Sequence, residues 1–205
     1  MLTRRTLLVA TAMTGFVLAA GPGAWFSPAL AQGTGDATAF VLKLGSDLVA
    51  VINGPGTYED KKKRLQPLVE TAVDVEGIGR FSLGRFWRTA TPAQQAEFSH
   101  LFHDVLMNNI FGKIGEFQGV TFTATNTTQR EADTLVGTLI KRPNQQPNNV
   151  QWVVNPIGGR PKIIDVVAEG TSLRLTQRSD YAAYMARNNY NIDALIAAMK
   201  QQIAR

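Results

Sequence analysis

Cysteine is absent from all 205 residues of this chain. Disulfides, thiolate nucleophiles and cysteine-ligated metal clusters are therefore excluded, and packing has to hold the fold together even in an oxidising compartment. Histidine is nearly absent too. The pair His100 and His103 falls on neighbouring positions of one helix face with Glu97 and Asp104. No HExxH motif or clear distant ligand accompanies them, so a charged, solvated helix face is favoured over a metal site. No GxSxG elbow, GxGxxG fingerprint or Walker loop occurs, which leaves serine-hydrolase, dinucleotide and P-loop chemistry unsupported. Asp165 and Glu169 would stand ~13 Å apart along a strand, too far to share a proton. The residues give no reason to expect an enzyme, a metal or a cofactor.

Long hydrophobic runs are also missing. The apolar stretch Leu7 to Ala20 is shorter than the ~20 residues a membrane-spanning helix requires. It follows Arg4 and Arg5 and precedes Ala29, Leu30 and Ala31, the order of basic region, apolar region and small-residue cleavage site in an export signal. Thr3 to Leu8 also has the look of a twin-arginine signal, and an ordinary secretory signal with adjacent arginines fits equally well. Residues 1–31 are thus expected to be a cleaved export segment, leaving residues 32–205 as one domain. A chain of that size can bury roughly 68–70% of its unfolded surface. Loss of Arg4 and Arg5 lowers the formal charge from +5 to +3, and with export this argues against nucleic acid as a partner. The main basic run, Lys61 to Arg64, follows Glu59 and Asp60. Acids first and bases later suit a helix macrodipole, so a solvated helix is preferred over a docking patch for anionic lipid.

Helical periodicity dominates the first half. Phe40, Val41, Leu44, Leu48, Val49 and Ile52 predict a helix over 37–53, stopped by Gly54, Pro55 and Gly56. Thr57 with Asp60 reads as a capping pair for a second helix carrying Leu65, Leu68, Val69 and Ala72, with a bend or break at Pro67. Residues 74–88 read as a short helix and a turn at Gly84. Thr91, Pro92 and Gln94 then open a long helix to about Gly115. Beyond Gly119 the pattern alternates in strands around 120–125 and 134–140, VQWVV at 150–154 follows a polar turn, and Ile163, Ile164, Val166 and Val167 read as a strand buried on both faces. Leu173 to Arg187 fits either a strand extension or a helix; Leu173, Gln177, Tyr181 and Tyr184 share a helical face, which favours a helix ended by Asn188 and Asn189 in the left-handed conformation. Asn191 caps a last one. Helices before and after a meander of four or so strands make an α+β fold with a strongly twisted antiparallel sheet.

Two stretches carry a family pattern. In residues 162–187 these are Lys162, Asp165, Val166, Glu169, Gly170, Ser172, Leu173, Arg178, Ser179 and Tyr181. In residues 76–106 they are Leu83, Gly84, Arg85, Trp87, Pro92, Phe98, Phe102 and Leu106, and IDALIAAM at 192–199 continues the likeness. The chain resembles the MlaC family, toluene-tolerance-type periplasmic phospholipid-binding proteins of an ABC lipid-transport system. The resemblance implies a cone similar to the nuclear-transport-factor-2 fold, with helices closing over the sheet around an apolar cavity. It also implies a carrier moving phospholipid between an inner-membrane ABC complex with MCE-domain rings and an outer-membrane lipoprotein complex. Arg85 and Arg178 match basic positions of the family, for a headgroup, a partner or a surface ion pair. Departures at Ile110, Pro161 and Asn189 fall beside the expected cavity, and Trp152 with TQRSDY at 176–181 resembles a hopanoid-associated branch. A rigid polycyclic lipid is therefore an alternative cargo, and a small enzyme on the same scaffold an alternative function.

Lipid carriage needs little polar chemistry. Each exposed methylene costs about 0.8 kcal/mol, so a two-tailed lipid with ~30 methylenes faces roughly 20 kcal/mol or more in crossing water unaided. Apolar residues on the helix stripe and strand faces are the expected lining: Phe98, Phe102, Leu106, Leu139, Trp152, Val154, Ile164, Val166 and Tyr181.

Overall fold

The computed structural model describes residues 28–204. Residues 1–27, with the basic and apolar parts of the expected export segment, lie outside the described residues. The first helix, α1 (Pro28–Asn53), starts well before the apolar periodicity does; Gly33 and Gly35, poor helix formers, hide its beginning. α2 (Tyr58–Ala72) opens with a full capping box, in which the Thr57 hydroxyl accepts from the Asp60 N–H and the Asp60 carboxylate accepts from the Thr57 N–H. It runs unbroken through Pro67. The ring and Lys63, whose carbonyl loses its partner, are both exposed, so water can replace the lost bond.

α3 (Val75–Leu83) is capped by Asp74 and ends at Gly84, whose φ of +62° favours glycine. A 3₁₀ turn, Gly84–Arg88, leads to α4 (Pro92–Phe111), again opened by a capping box, of Thr91 with Gln94. α4 stops short of Gly115, and a second 3₁₀ turn covers Ile114–Phe117.

The sheet is an open antiparallel meander in the order β1 (Thr121–Arg130), β2 (Asp133–Lys141), β3 (Asn148–Ile157), β4 (Arg160–Ala168), β5 (Thr171–Ser172). β5 is a two-residue addition to the strands expected. It follows Glu169 and Gly170, both at positive φ, the geometry of a tight hairpin turn matched to strand twist. β1 is bulged between Ala124 and Thr127 opposite Gly137. A Cβ at Gly137 would lie 2.5 Å from Asn126 Oδ1, so only glycine admits the bulge there.

α5 (Leu173–Arg187) follows at once, started by Ser172 and by the buried Asp165 of β4. The Asp165 carboxylate accepts from the Val166 N–H, the Ser172 hydroxyl and the Arg174 N–H. α5 ends with Asn189 and Tyr190 at positive φ, one residue later than the sequence suggests, because Asn188 is still held as the cap by Met185 O. α6 (Ile192–Ile203) is capped by Asn191.

Two apolar regions result. α3, α4, α5 and α6 pack around Phe98, Phe102, Tyr181, Met185, Leu195 and Met199. α1 instead lies along β1 and is tied at Thr38 and at its C-terminal Asn53. Thr38 Oγ1 meets Thr127 Oγ1 at 2.8 Å, and Asn53 Oδ1 accepts from the Gly119 N–H at 2.8 Å.

An apolar cavity as the candidate functional site

The α1 stripe of Val41, Leu44, Gly45, Leu48, Val49 and Ile52 forms one wall of a cavity of about 210 Å³. Their three- and four-residue spacing keeps them on one face. Opposite stand Phe122 of β1, Ile140 of β2 and Trp152 of β3. Leu65 and Val69 of α2, Ile110 and Phe111 of α4, and Ile114, Phe117 and Val120 complete the lining. Every lining residue is apolar. Trp152 carries the one side-chain polar group, and its Nε1–H donates to Thr138 Oγ1 at 2.9 Å. That hydroxyl, 1% exposed, in turn donates to Val150 O. Phe122 rests on Trp152 with ring centroids 6.1 Å apart. Such a lining can shelter hydrocarbon, and it holds no acid, base or nucleophile.

Charge gathers near the mouth instead. Ile110 is 37% exposed there. The Arg142 guanidinium lies over Phe117, 5.4 Å from the ring centroid, and pairs with Glu116 at 3.7 Å. Lys61 Nζ donates to Ile52 O at 2.7 Å, and Lys113 is exposed beside Ile114.

The sequence model of the family described as MlaC protein matches residues 45–201, which takes in the cavity lining apart from Val41 and Leu44 and nearly all of the helical bundle. The chain belongs to the MlaC family. Among similar proteins is the toluene tolerance protein ttg2D of Pseudomonas putida, 25% identical over 156 residues, covering 75% of this chain and 71% of that protein. Among solved structures, a phospholipid-binding protein from Ralstonia solanacearum in complex with a phospholipid has the same fold. Its TM-score is 0.74 at 20% identity, over 82% of this chain and 97% of that one.

Of the nine positions expected to line the cavity of this MlaC-family chain, the cavity lining includes Trp152. Phe98, Phe102 and Tyr181 meet one another in the α3–α6 bundle, with centroids 5.8 to 6.5 Å apart. Burial pushes the Tyr181 phenol far up, with Asp180 adding to the effect. Leu106 packs between that bundle and the α2–α4 contact. Val154, 2% exposed, and Val166 belong to a packed cluster behind the cavity. Leu139 alternates with the inward Thr138 and Ile140 and so takes the other sheet face. Ile164 sits in the register shift of the β3–β4 pairing, between Ile163, opposite Val154, and Asp165, opposite Val153.

What the residue pattern missed is the partner of α1. Its stripe was legible, but nothing local says that it faces the sheet across a gap. Arg85 and Arg178 lie away from the lining: Arg85 covers Phe86 and Tyr190, and Arg178 covers Phe81. His103 bonds Asp104 and Glu70, and His100 pairs with Asp104 at 3.4 Å. Among the described residues no group of three or more such side chains is placed to hold a metal ion.

Proposed function

We propose that this chain is a periplasmic lipid carrier that holds the hydrocarbon of a phospholipid in the cavity under α1 and ferries it between inner- and outer-membrane complexes. The observation that carries the reading is the lining itself, apolar at every position from Val41 to Trp152. Phospholipid as cargo is supported by the Ralstonia solanacearum protein of the same fold, described with a phospholipid bound. At about 210 Å³ the cavity is below the ~300–1,000 Å³ of ordinary ligand pockets. It is a slot that suits a flexible chain better than a rigid polycyclic lipid, and a second tail enters by widening it. The tails point inward and the headgroup stays at the mouth, where Arg142 offers its phosphate a charge-assisted hydrogen bond.

Native mass spectrometry of protein expressed without residues 1–31 tests this. The expected result is a bound mass identified as phospholipid on extraction. Val49→Trp, which fills the slot from a half-buried wall position, is expected to lower bound lipid at least tenfold with the fold intact. Purified protein that carries no lipid and takes none from phospholipid vesicles sinks the carrier reading, and a bound polycyclic lipid reassigns the cargo.

A further inference from the structure

The two ends of the cavity are built differently. At the outer end Ile110 reaches solvent and polar side chains begin. At the inner end Val41 and Leu44 serve both as cavity wall and as members of a packed cluster with Ala37, Val136, Val154 and Ile163, none more than 9% exposed. Phe122 and Trp152 lie on this boundary, since both line the cavity and both pack on the cluster.

Neither ring has room to retreat. A Cβ at Gly45 would lie 2.5 Å from the Phe122 ring, so that ring is seated against bare α1 backbone. Trp152 is tethered by its bond to the buried Thr138 hydroxyl, and its ring is in contact with Phe122. A hydrocarbon chain sliding inward along the α1 stripe therefore meets two fixed aromatic rings with a close-packed cluster behind them.

We infer that Phe122 and Trp152 form a stop that sets how much of a lipid tail the slot accepts, with Gly45 as the residue that lets the stop stand where it does. The inference rests on the carrier reading. α1 rises 1.5 Å per residue, so the mouth at Ile52 lies about 10 Å from Gly45 and about 16 Å from Val41. Carbon–carbon bonds of ~1.5 Å at tetrahedral angles advance about 1.25 Å per carbon. The slot thus shelters about 8 to 13 carbons. Each methylene added within that length raises affinity about fourfold, and a methylene beyond the stop remains outside and adds little.

Saturated lysophosphatidylcholines with chains of about 8 to about 18 carbons, titrated into the delipidated protein, read the stop directly. The parent chain is expected to gain affinity with length and then level off. Phe122→Ala, and the milder Phe122→Leu should the alanine variant fold poorly, are expected to move the plateau to longer chains by several methylenes. Gly45→Ala, which favours the helix intrinsically, is expected to move it to shorter ones by pushing the ring into the slot. A plateau unchanged in the folded Phe122 variants, while they still bind short chains, overturns the stop and leaves the carrier reading standing. A parent protein that binds no chain of any length removes both.

Discussion

The α3–α6 bundle and the space under α1 are both lined by apolar side chains, yet one is filled and the other hollow. In the bundle, Phe98 and Phe102 of α4 stack on each other and meet Tyr181 of α5 edge to face, while Trp87 closes on Phe98. Large rings from facing helices span the gap between them. Under α1 the helix contributes only aliphatic side chains and Gly45, and these are too short to reach the sheet along its whole length. Hydrogen bonds from Thr38 to Thr127 of β1 and from the Gly119 N–H, just before β1, to Asn53 hold the helix at that distance. The lesson concerns placement rather than number. Abundant aromatics fill space, and a hollow arises where an aliphatic stripe is held off a curved sheet.

The sharpest way to break this contrast is to truncate one side chain in each region. Phe98→Ala empties a site with no solvent exposure and is expected to cost about 3–5 kcal/mol in urea unfolding. Leu48→Ala removes atoms that already face a void on one side, so about 1 kcal/mol is expected. Equal losses would mean that the slot is closed in solution. Next in size comes the carboxylate that links the regions, because Asp165 belongs to the sheet and caps a bundle helix. Asp165→Ala leaves the Arg174 N–H, the Val166 N–H and the Ser172 hydroxyl without their acceptor, and is expected to cost about 3 kcal/mol. Ser172→Ala removes one cap and is expected to cost about 1 kcal/mol. Comparable losses from the two would show that Asp165 acts only through that hydroxyl.

These contrasts also explain which parts of the molecule were legible in the sequence. Capping boxes at Thr57 and Thr91 are local chemistry within four residues, and both form as expected. Strand patterns are local as well, and they found β1 to β4 while missing the two-residue β5; β4, expected to be buried on both faces, instead buries Ile163 and Asp165 while Ile164 and Val166 are half-buried. Pro67 does not break α2, because proline's cost depends on whether its neighbourhood is wet, which no local pattern states. The cavity is the opposite case. Phe98 and Leu48 are both apolar residues on helical stripes, and only the tertiary partner decides that one fills and the other lines. Family resemblance supplied the architecture, but it carried no information on which stripe faces the gap. Burial in a filled core and burial on a cavity wall leave the same mark on a sequence.

The smallest expected effect tests how the hollow side is fastened to the filled one. His103 of α4 bonds Glu70 of α2 at 2.9 Å and its own neighbour Asp104 at 3.2 Å; His100 stands nearby on Asp104, and Gln66 bonds Glu70. Burial by itself lowers the His103 pKa, but the bonds to Asp104 and Glu70 outweigh it and leave it above 6.5. A histidine raised in the folded state adds stability that is fully present below its unfolded value and fades as pH rises through the folded one. Glu70 is held below its ordinary value chiefly by the Gln66 hydrogen bond, with burial opposing and His103 adding to it. Its contribution is lost only on acidification, so the bridge is strongest between the two titrations. With His103 about a third exposed, a few tenths of a kcal/mol is expected. The urea midpoint should fall between pH about 6 and about 8 by more in the parent chain than in His103→Gln. Identical slopes would show the bridge to be energetically silent. A gain this small fits the packing beneath it, where Leu65 and Val69 of α2 meet Met107 and Phe111 of α4. That apolar contact, rather than the charged bridge above it, holds the cavity wall to the bundle.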